Sequence, residues 1–189
     1  MKKLLIIMIS MVVWNYTEAQ TSYFPVEKGS KWTYAYGKEI YGGTPYEDYK
    51  FEVEILENEE TIDGKEYFVS KGKMVGGKGD DVVVTSYFRF GNDGSIITRQ
   101  DKATEEIVQF SNEPKVGDKF GSQQDGSSKV LDLNATITTP TTTHSNCLMV
   151  EVAASESTTR VYYQKNIGMV ATTMIMDGSE KIFIYLLSK

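Results

Sequence analysis

His144 and Cys147 are the only imidazole and the only thiol of the chain, and they stand three residues apart. A neutral imidazole and a thiolate at that spacing could share a metal ion. The same His could activate a Cys or Ser nucleophile. A zinc site closed by nitrogen and sulfur needs four such ligands, and the sequence offers no second pair. No Gly-x-Ser-x-Gly elbow exists to present a serine on a strand-to-helix turn. His144 therefore reads as an exposed residue of a Thr-rich loop, and Cys147 as the opening of a buried strand. No metal and no cofactor are expected.

Other chemical patterns fail on their own terms. Gly72-Lys-Met-Val-Gly-Gly77-Lys78 has the spacing of a phosphate loop up to its Lys, but Gly79 replaces the hydroxyl that would hold magnesium. The residues after it, Val82-Val-Val-Thr-Ser-Tyr87, read as strand, whereas phosphate binding needs a helix N-terminus. Gly72 to Gly79 reads as a loose loop between strands. Ser70-Lys-Gly-Lys73 matches Ser-x-x-Lys, without the Ser-Asp-Asn and Lys-Thr-Gly elements that accompany it in penicillin-recognising enzymes. Glu57, Glu59 and Glu60, or Asp80 and Asp81, could converge as a carboxylate pair, yet acids at hairpin ends are usually solvated. No repeated-oxygen calcium loop is present.

The aromatic residues are more informative. Trp32, Tyr34 and Tyr36 alternate, so along a strand they share one face. They are either core and cross-strand pairs, or the lining of a site for a sugar, peptide or lipid chain. They are the candidate ligand-binding residues.

The elements that must position them are strands. Phe51-Glu-Val53-Glu-Ile55, Leu131 to Ile137 and Leu148 to Val152 alternate apolar with polar, which puts one face on a core. Further runs are Lys31 to Tyr36, Glu66 to Lys71, Val82 to Phe90, Ile96 to Arg99, Ile107 to Phe110, Arg160 to Gln164, Met169 to Met176 and Lys181 to Leu187. Asp63-Gly64, Asp93-Gly94, Asp125-Gly126 and Asp177-Gly178 supply tight hairpin turns. Pro140 ends a strand within Thr136 to Thr143. Spacing this short leaves no room for crossover helices. One phrase occurs twice: Pro25-Val-Glu-Lys-Gly29-Ser-Lys31-Trp32 is echoed by Pro114-Lys-Val-Gly117-Asp-Lys119-Phe120. Tyr87-Phe88 and Tyr162-Tyr163 close the two stretches that follow. The expectation is an all-β, antiparallel, hairpin-rich domain built from two pseudo-repeated units, about 23–110 and 113–189, meeting near Ser111 to Glu113 in a curved sheet, half-barrel or sandwich.

Met1-Lys-Lys3, an apolar run from Leu4 to Trp14, and Thr17-Glu-Ala19 before Gln20 read as a signal peptide, residues 1–19. The run is too short to span a bilayer. One domain follows, residues 20–189, long enough to bury a core without disulfides. The formal net charge of −6 argues against nucleic acid as a partner. The mature protein is expected to be periplasmic or secreted, monomeric and without a membrane span.

Tyr23-Phe-Pro25 after the leader, then Gly29-Ser-Lys-Trp32-Thr-Tyr34, resembles the opening of the TapB-like group and related exported bacterial β-rich domains of unknown function. Pro114 to Phe120, Asn146 to Val150 and Tyr162 to Val170 are similar to them in the same order, with Phe120 where Trp is common. The resemblance implies an antiparallel β fold, such as the curved half-barrel of envelope lipid carriers, and no catalytic residues. The functional expectation is a non-catalytic binding or interaction module of the bacterial envelope, with a small apolar or glycan ligand or an envelope protein as partner. A carrier of lipid or another hydrophobic molecule and, further off, a carboxylate-based hydrolase are the alternatives. The hydrolase requires carboxylates converging in a pocket with raised pKa values; the binding module requires an apolar or aromatic cleft without such a pair.

Overall fold

The computed structural model describes residues 22–44, 47–76, 82–121, 127–153 and 158–189. The leader and its cut site, Gly77 to Asp81 and the Asp125-Gly126 turn lie outside them. The first half of the chain forms β1 (Lys31–Tyr36), a single turn α1 (Lys38–Tyr41), β2 (Lys50–Ile62), β3 (Lys65–Val75), β4 (Val83–Phe90), β5 (Ile96–Arg99) and β6 (Ile107–Phe110). The second forms β7 (Lys119–Phe120), β8 (Ser127–Thr138), β9 (Thr143–Ala153), β10 (Thr158–Gln164), β11 (Gly168–Met176) and β12 (Ser179–Ser188).

Each strand pairs antiparallel with its chain neighbour except across β6 and β7, the two ends of the sheet, and β1 pairs with β12. The result is one twelve-stranded, nearly closed barrel-like sheet. Its weak point is the seam between β6 and β7, where Gly121 N–H donates to the Val108 carbonyl at 3.3 Å. Asp63 and Asp177 adopt φ values of 52° and 51° at the first positions of their hairpin turns, as a two-residue Asp-Gly loop requires.

Alternation sorts the side chains into an interior and two smaller clusters on the opposite strand face. Trp32, Tyr34, Ile55 and Phe88 form one part of the interior. Ile96, Phe110, Val130, Leu148, Val150 and Tyr163 form the other, and Phe24 and Met169 touch both parts. Adjacent residues face the other way. Tyr67, Val69 and Tyr87 gather with Ile62, while Cys147, Tyr162 and Val170 gather with Ala135 and Ala171. Fully burying one such side chain stabilises the fold by roughly 1.5–3 kcal/mol.

The two copies of the repeated phrase make the same backbone bonds. Gly29 N–H donates to Ile55 O at 2.8 Å, and Ile55 N–H returns a bond to Ser30 O at 2.9 Å. Gly117 N–H donates to Val130 O at 2.9 Å, and Val130 N–H returns to Asp118 O at 2.9 Å. Ser30 N–H reaches Glu27 O, and Asp118 N–H reaches Lys115 O, closing the same turn. Both glycines have positive φ, 79° and 95°, a region that a side chain would strain.

Three local expectations are corrected. Gly72 to Val75 is not loop but the end of β3, paired to Phe51 and Val53 on one side and to Val83 and Val84 on the other. Gly72 also makes room for the Phe51 ring, which would lie 2.6 Å from a Cβ there. His144 is not in an exposed loop; it lies in β9, is 9% exposed, and shares its Nδ1 with Gln164 Oε1 at 2.8 Å. The long hairpins run beyond the alternating segments, because bulges between Ile55 and Glu59 and along β8 carry polar residues within the pairing.

Candidate functional site

The barrel wall is incomplete beside β7. That strand covers β8 only at Ser128 and Lys129, extended by the bonds of Gly117 and Asp118 to Val130. Beyond Val130, β8 has a strand partner on its β9 side alone among the described residues. The connection from Ser111 to Val116 leaves the sheet instead of filling the gap, and a cleft of about 670 Å³ opens there.

Its deep part is apolar: Ile96, Phe110 and Leu148 are buried, and Leu133 is half-buried. One wall is Ser22, Tyr23 and Phe24, held to the turn between β10 and β11. There Asn166 N–H donates to Ser22 O at 2.9 Å, and the Lys165 ammonium lies 5.4 Å from the centre of the Tyr23 ring. Asn112, Glu113 and Lys165 are exposed at the mouth. Ser111 is among the lining residues, but its Oγ is turned away from solvent and has no hydrogen-bond partner in the protein. Cavities of a few hundred to a thousand Å³ with apolar walls and few polar groups suit small organic ligands and single side chains.

Of the aromatic trio, the structure places two members in the core. Trp32 is 6% and Tyr34 3% exposed. The Trp32 indole N–H donates to Ile167 O at 2.7 Å, and the Tyr34 hydroxyl donates to Met169 O at 3.2 Å. Burial pushes the Tyr34 phenol well above its ordinary range, with Tyr163 adding to it. These rings tie β1 to the β10–β11 turn across the interior. Tyr36 is half-buried at the strand's end, edge-on to Tyr41 at 5.1 Å and to Phe183 at 6.2 Å. None of the three lines the cleft. Its residues carried no chemical motif; the one pointer was the junction at Ser111 to Glu113, which forms its outer edge.

Several carboxylates elsewhere are paired with cations. Glu59 pairs with Lys28 at 3.3 Å, and Glu60 pairs with Lys102. Glu106 receives Arg89 Nε at 2.6 Å and Nη2 at 2.9 Å, together with Lys65 and the Tyr67 hydroxyl. Those bonds, Arg89's above all, hold its carboxyl far below the usual range although burial opposes them. Glu180 is opposed by burial too, but bonds from Thr173, Tyr162 and Arg160 at 2.5, 2.7 and 2.6 Å keep its pKa lowered. Such pairing suits structural acids. Glu113 is the one carboxylate lining the cleft among the described residues, and no cluster of metal-ligating side chains occurs among them. The arrangement can hold an apolar group with a polar end.

No family model matches the chain, and no curated protein matches it. Two solved structures do. One is a protein from Parabacteroides distasonis named as a lipoprotein, with a TM-score of 0.52 at 12% identity over 87% of this chain and 96% of that one. The other, from Bacteroides fragilis, is named as an exported protein with a YmcC-like fold; its TM-score is 0.50 at 11% identity over 86% and 96%. The likeness is one of fold. No helix among the described residues is long and apolar enough to cross a membrane.

Proposed function

We propose that this protein is a non-catalytic binding module of the bacterial envelope, and that the cleft beside β7 holds an apolar ligand. The observation that carries this reading is the cleft itself: about 670 Å³, lined by Ile96, Phe110, Leu133 and Leu148 together with polar residues such as Asn112, Glu113 and Lys165. A cleft of that size lined by apolar and polar side chains together favours a ligand with an apolar part and a polar end. Among the described residues Glu113 is the one carboxylate lining the cleft, which favours binding over a carboxylate-pair hydrolysis there. Export is supported by the leader pattern of Met1 to Ala19 and by the names of the two fold relatives. The TapB-like resemblance agrees with it and rests on the quoted phrases. Trp32, Tyr34 and Tyr36 enter this reading as the scaffold that sets one half of the barrel against the other.

The test is a titration of the mature protein with N-phenyl-1-naphthylamine, whose fluorescence rises in apolar surroundings. A saturable rise is expected, lost in Leu133→Trp, which fills the cleft, with an unchanged melting temperature. An equal rise in the variant contradicts the proposal.

A further inference from the structure

We infer that two copies of this chain associate weakly, the open start of β4 in one pairing antiparallel with the same stretch of the other. The reading is independent of the cleft. β5 covers β4 only from Tyr87 to Phe90, because Arg99, opposite Tyr87, is its last residue. The chain then leaves the sheet in a turn closed on itself, where the Asp101 carboxylate accepts from the Ala103 and Thr104 N–H groups at 2.7 and 2.9 Å. From Val83 to Ser86, β4 therefore has a strand partner on its β3 side alone among the described residues.

The backbone of this stretch faces outward at known positions. Met74 N–H donates to Val82 O at 3.0 Å, and Gly72 lies opposite Val84. Bonded groups alternate along an antiparallel ladder, so Val82, Val84 and Ser86 turn their backbone to β3. Val83 and Thr85 then present N–H and C=O to the open side. An extended strand is the partner whose donors and acceptors recur at that repeat. The side chains point the same way. Val82, Val83 and Val84 are 57%, 55% and 54% exposed, and successive residues put apolar surface on both faces of the strand. The edge also lacks the usual protection. No charge and no proline stands between Val82 and Ser86, and the β3–β4 register carries no bulge.

A second copy fits because the edge is complementary to itself. A two-fold axis at Val84 sets Val83 opposite the second copy's Thr85, where the two exchange both backbone bonds. It also brings the two Val84 side chains together in the closer kind of pair. Val82 then meets the second copy's Ser86, so the pairing fills the vacancy and stops where β5 begins. No charges collide. Lys71 and Lys73, opposite Thr85 and Val83 on β3, stay three strand spacings, about 14 Å, from their counterparts, beyond a screening length of roughly 10 Å. So short a strand buries less than the roughly 1,200 Å² of a stable specific interface. The dimer is therefore weak, and the monomer expected from the sequence is its dilute state.

The test is sedimentation velocity of the mature protein from micromolar to millimolar concentration. The weight-average mass should climb toward twice that of the monomer. Val84→Lys and Val84→Glu change an exposed side chain, so both proteins should keep the parent's melting temperature. Each alone should remain monomeric at millimolar concentration, since like charges would meet on the axis. Mixed in equal amounts they should regain the dimer, because opposite charges then face each other. A parent that stays monomeric throughout overturns the proposal and leaves the edge to a strand of another protein. Single variants that associate as the parent does overturn it too. So does a mixture no more associated than its components, because the two-fold pairing at Val84 requires the rescue.

Discussion

Phe110 and Tyr163 meet edge to face, with ring centroids 4.8 Å apart and planes at 85°. Phe110 ends β6 and Tyr163 lies in β10, so the contact crosses the side of the barrel where β7 is too short to complete the wall. Backbone bonding there is sparse, with Gly121 and Val108 joined at 3.3 Å. Side chains therefore hold the seam. Phe110→Ala should cost about 3–5 kcal/mol through lost burial and an enlarged cavity. In urea the midpoint should fall with an unchanged slope; an unaltered midpoint would show that the seam does not depend on this pair.

Trp32 combines burial with a cross-barrel hydrogen bond. Trp32→Ala should destabilise by about 3–5 kcal/mol. Trp32→Phe retains a ring but leaves the Ile167 carbonyl without its donor, at a cost of about 1–3 kcal/mol. Ligand binding by any Trp32→Phe protein that remains folded should match the parent, because Trp32 does not line the cleft. Weakened binding with an unchanged melting temperature would return the residue to the site.

Acid should loosen the cluster around Glu106. Its folded pKa is depressed, chiefly by Arg89, so the ionised form is the one the fold prefers. That contribution is complete above the ordinary carboxylate value of about 4.3 and drains away as pH falls below it. Glu106→Gln should be less stable than the parent at pH 7 and should lose less of its stability between pH 5 and pH 2. Parallel pH profiles for the two proteins would contradict this.

Cys147 is fully buried, and burial pushes its thiol up to about 11. The reactive thiolate is thus scarce as well as inaccessible. A disulfide reagent at pH 8 should leave the native protein unmodified and label one thiol in urea. Rapid labelling of the folded protein would place Cys147 at a surface.

Much of this fold is legible in its residue pattern. The bounds of β1, β5 and β6 coincide with their apolar runs, and Asp63-Gly64 and Asp177-Gly178 turn where such pairs should. Other features depend on partners that local patterns do not show. Glu57 to Glu60 stay within β2 because a bulge absorbs the break in alternation, and Gly72 stays in β3 because neighbours on both sides bond it. His144 is buried in β9 and bonded to Gln164, twenty residues away. Alternation puts Trp32, Tyr34 and Tyr36 on one face, but their partners lie far along the chain, Ile167 and Met169 for the first two and Phe183 for the third. The cleft was least legible, since it lies beside a strand of two residues that leaves most of β8 unpaired on that side.

The most direct measurement is native mass spectrometry of the mature protein purified from its own envelope fraction, beside its Leu133→Trp variant. The parent should carry a bound species that organic or acid extraction releases, and the variant, equally folded, should be clean. A clean parent, or the same species on both, would contradict the assignment of the cleft as the binding site.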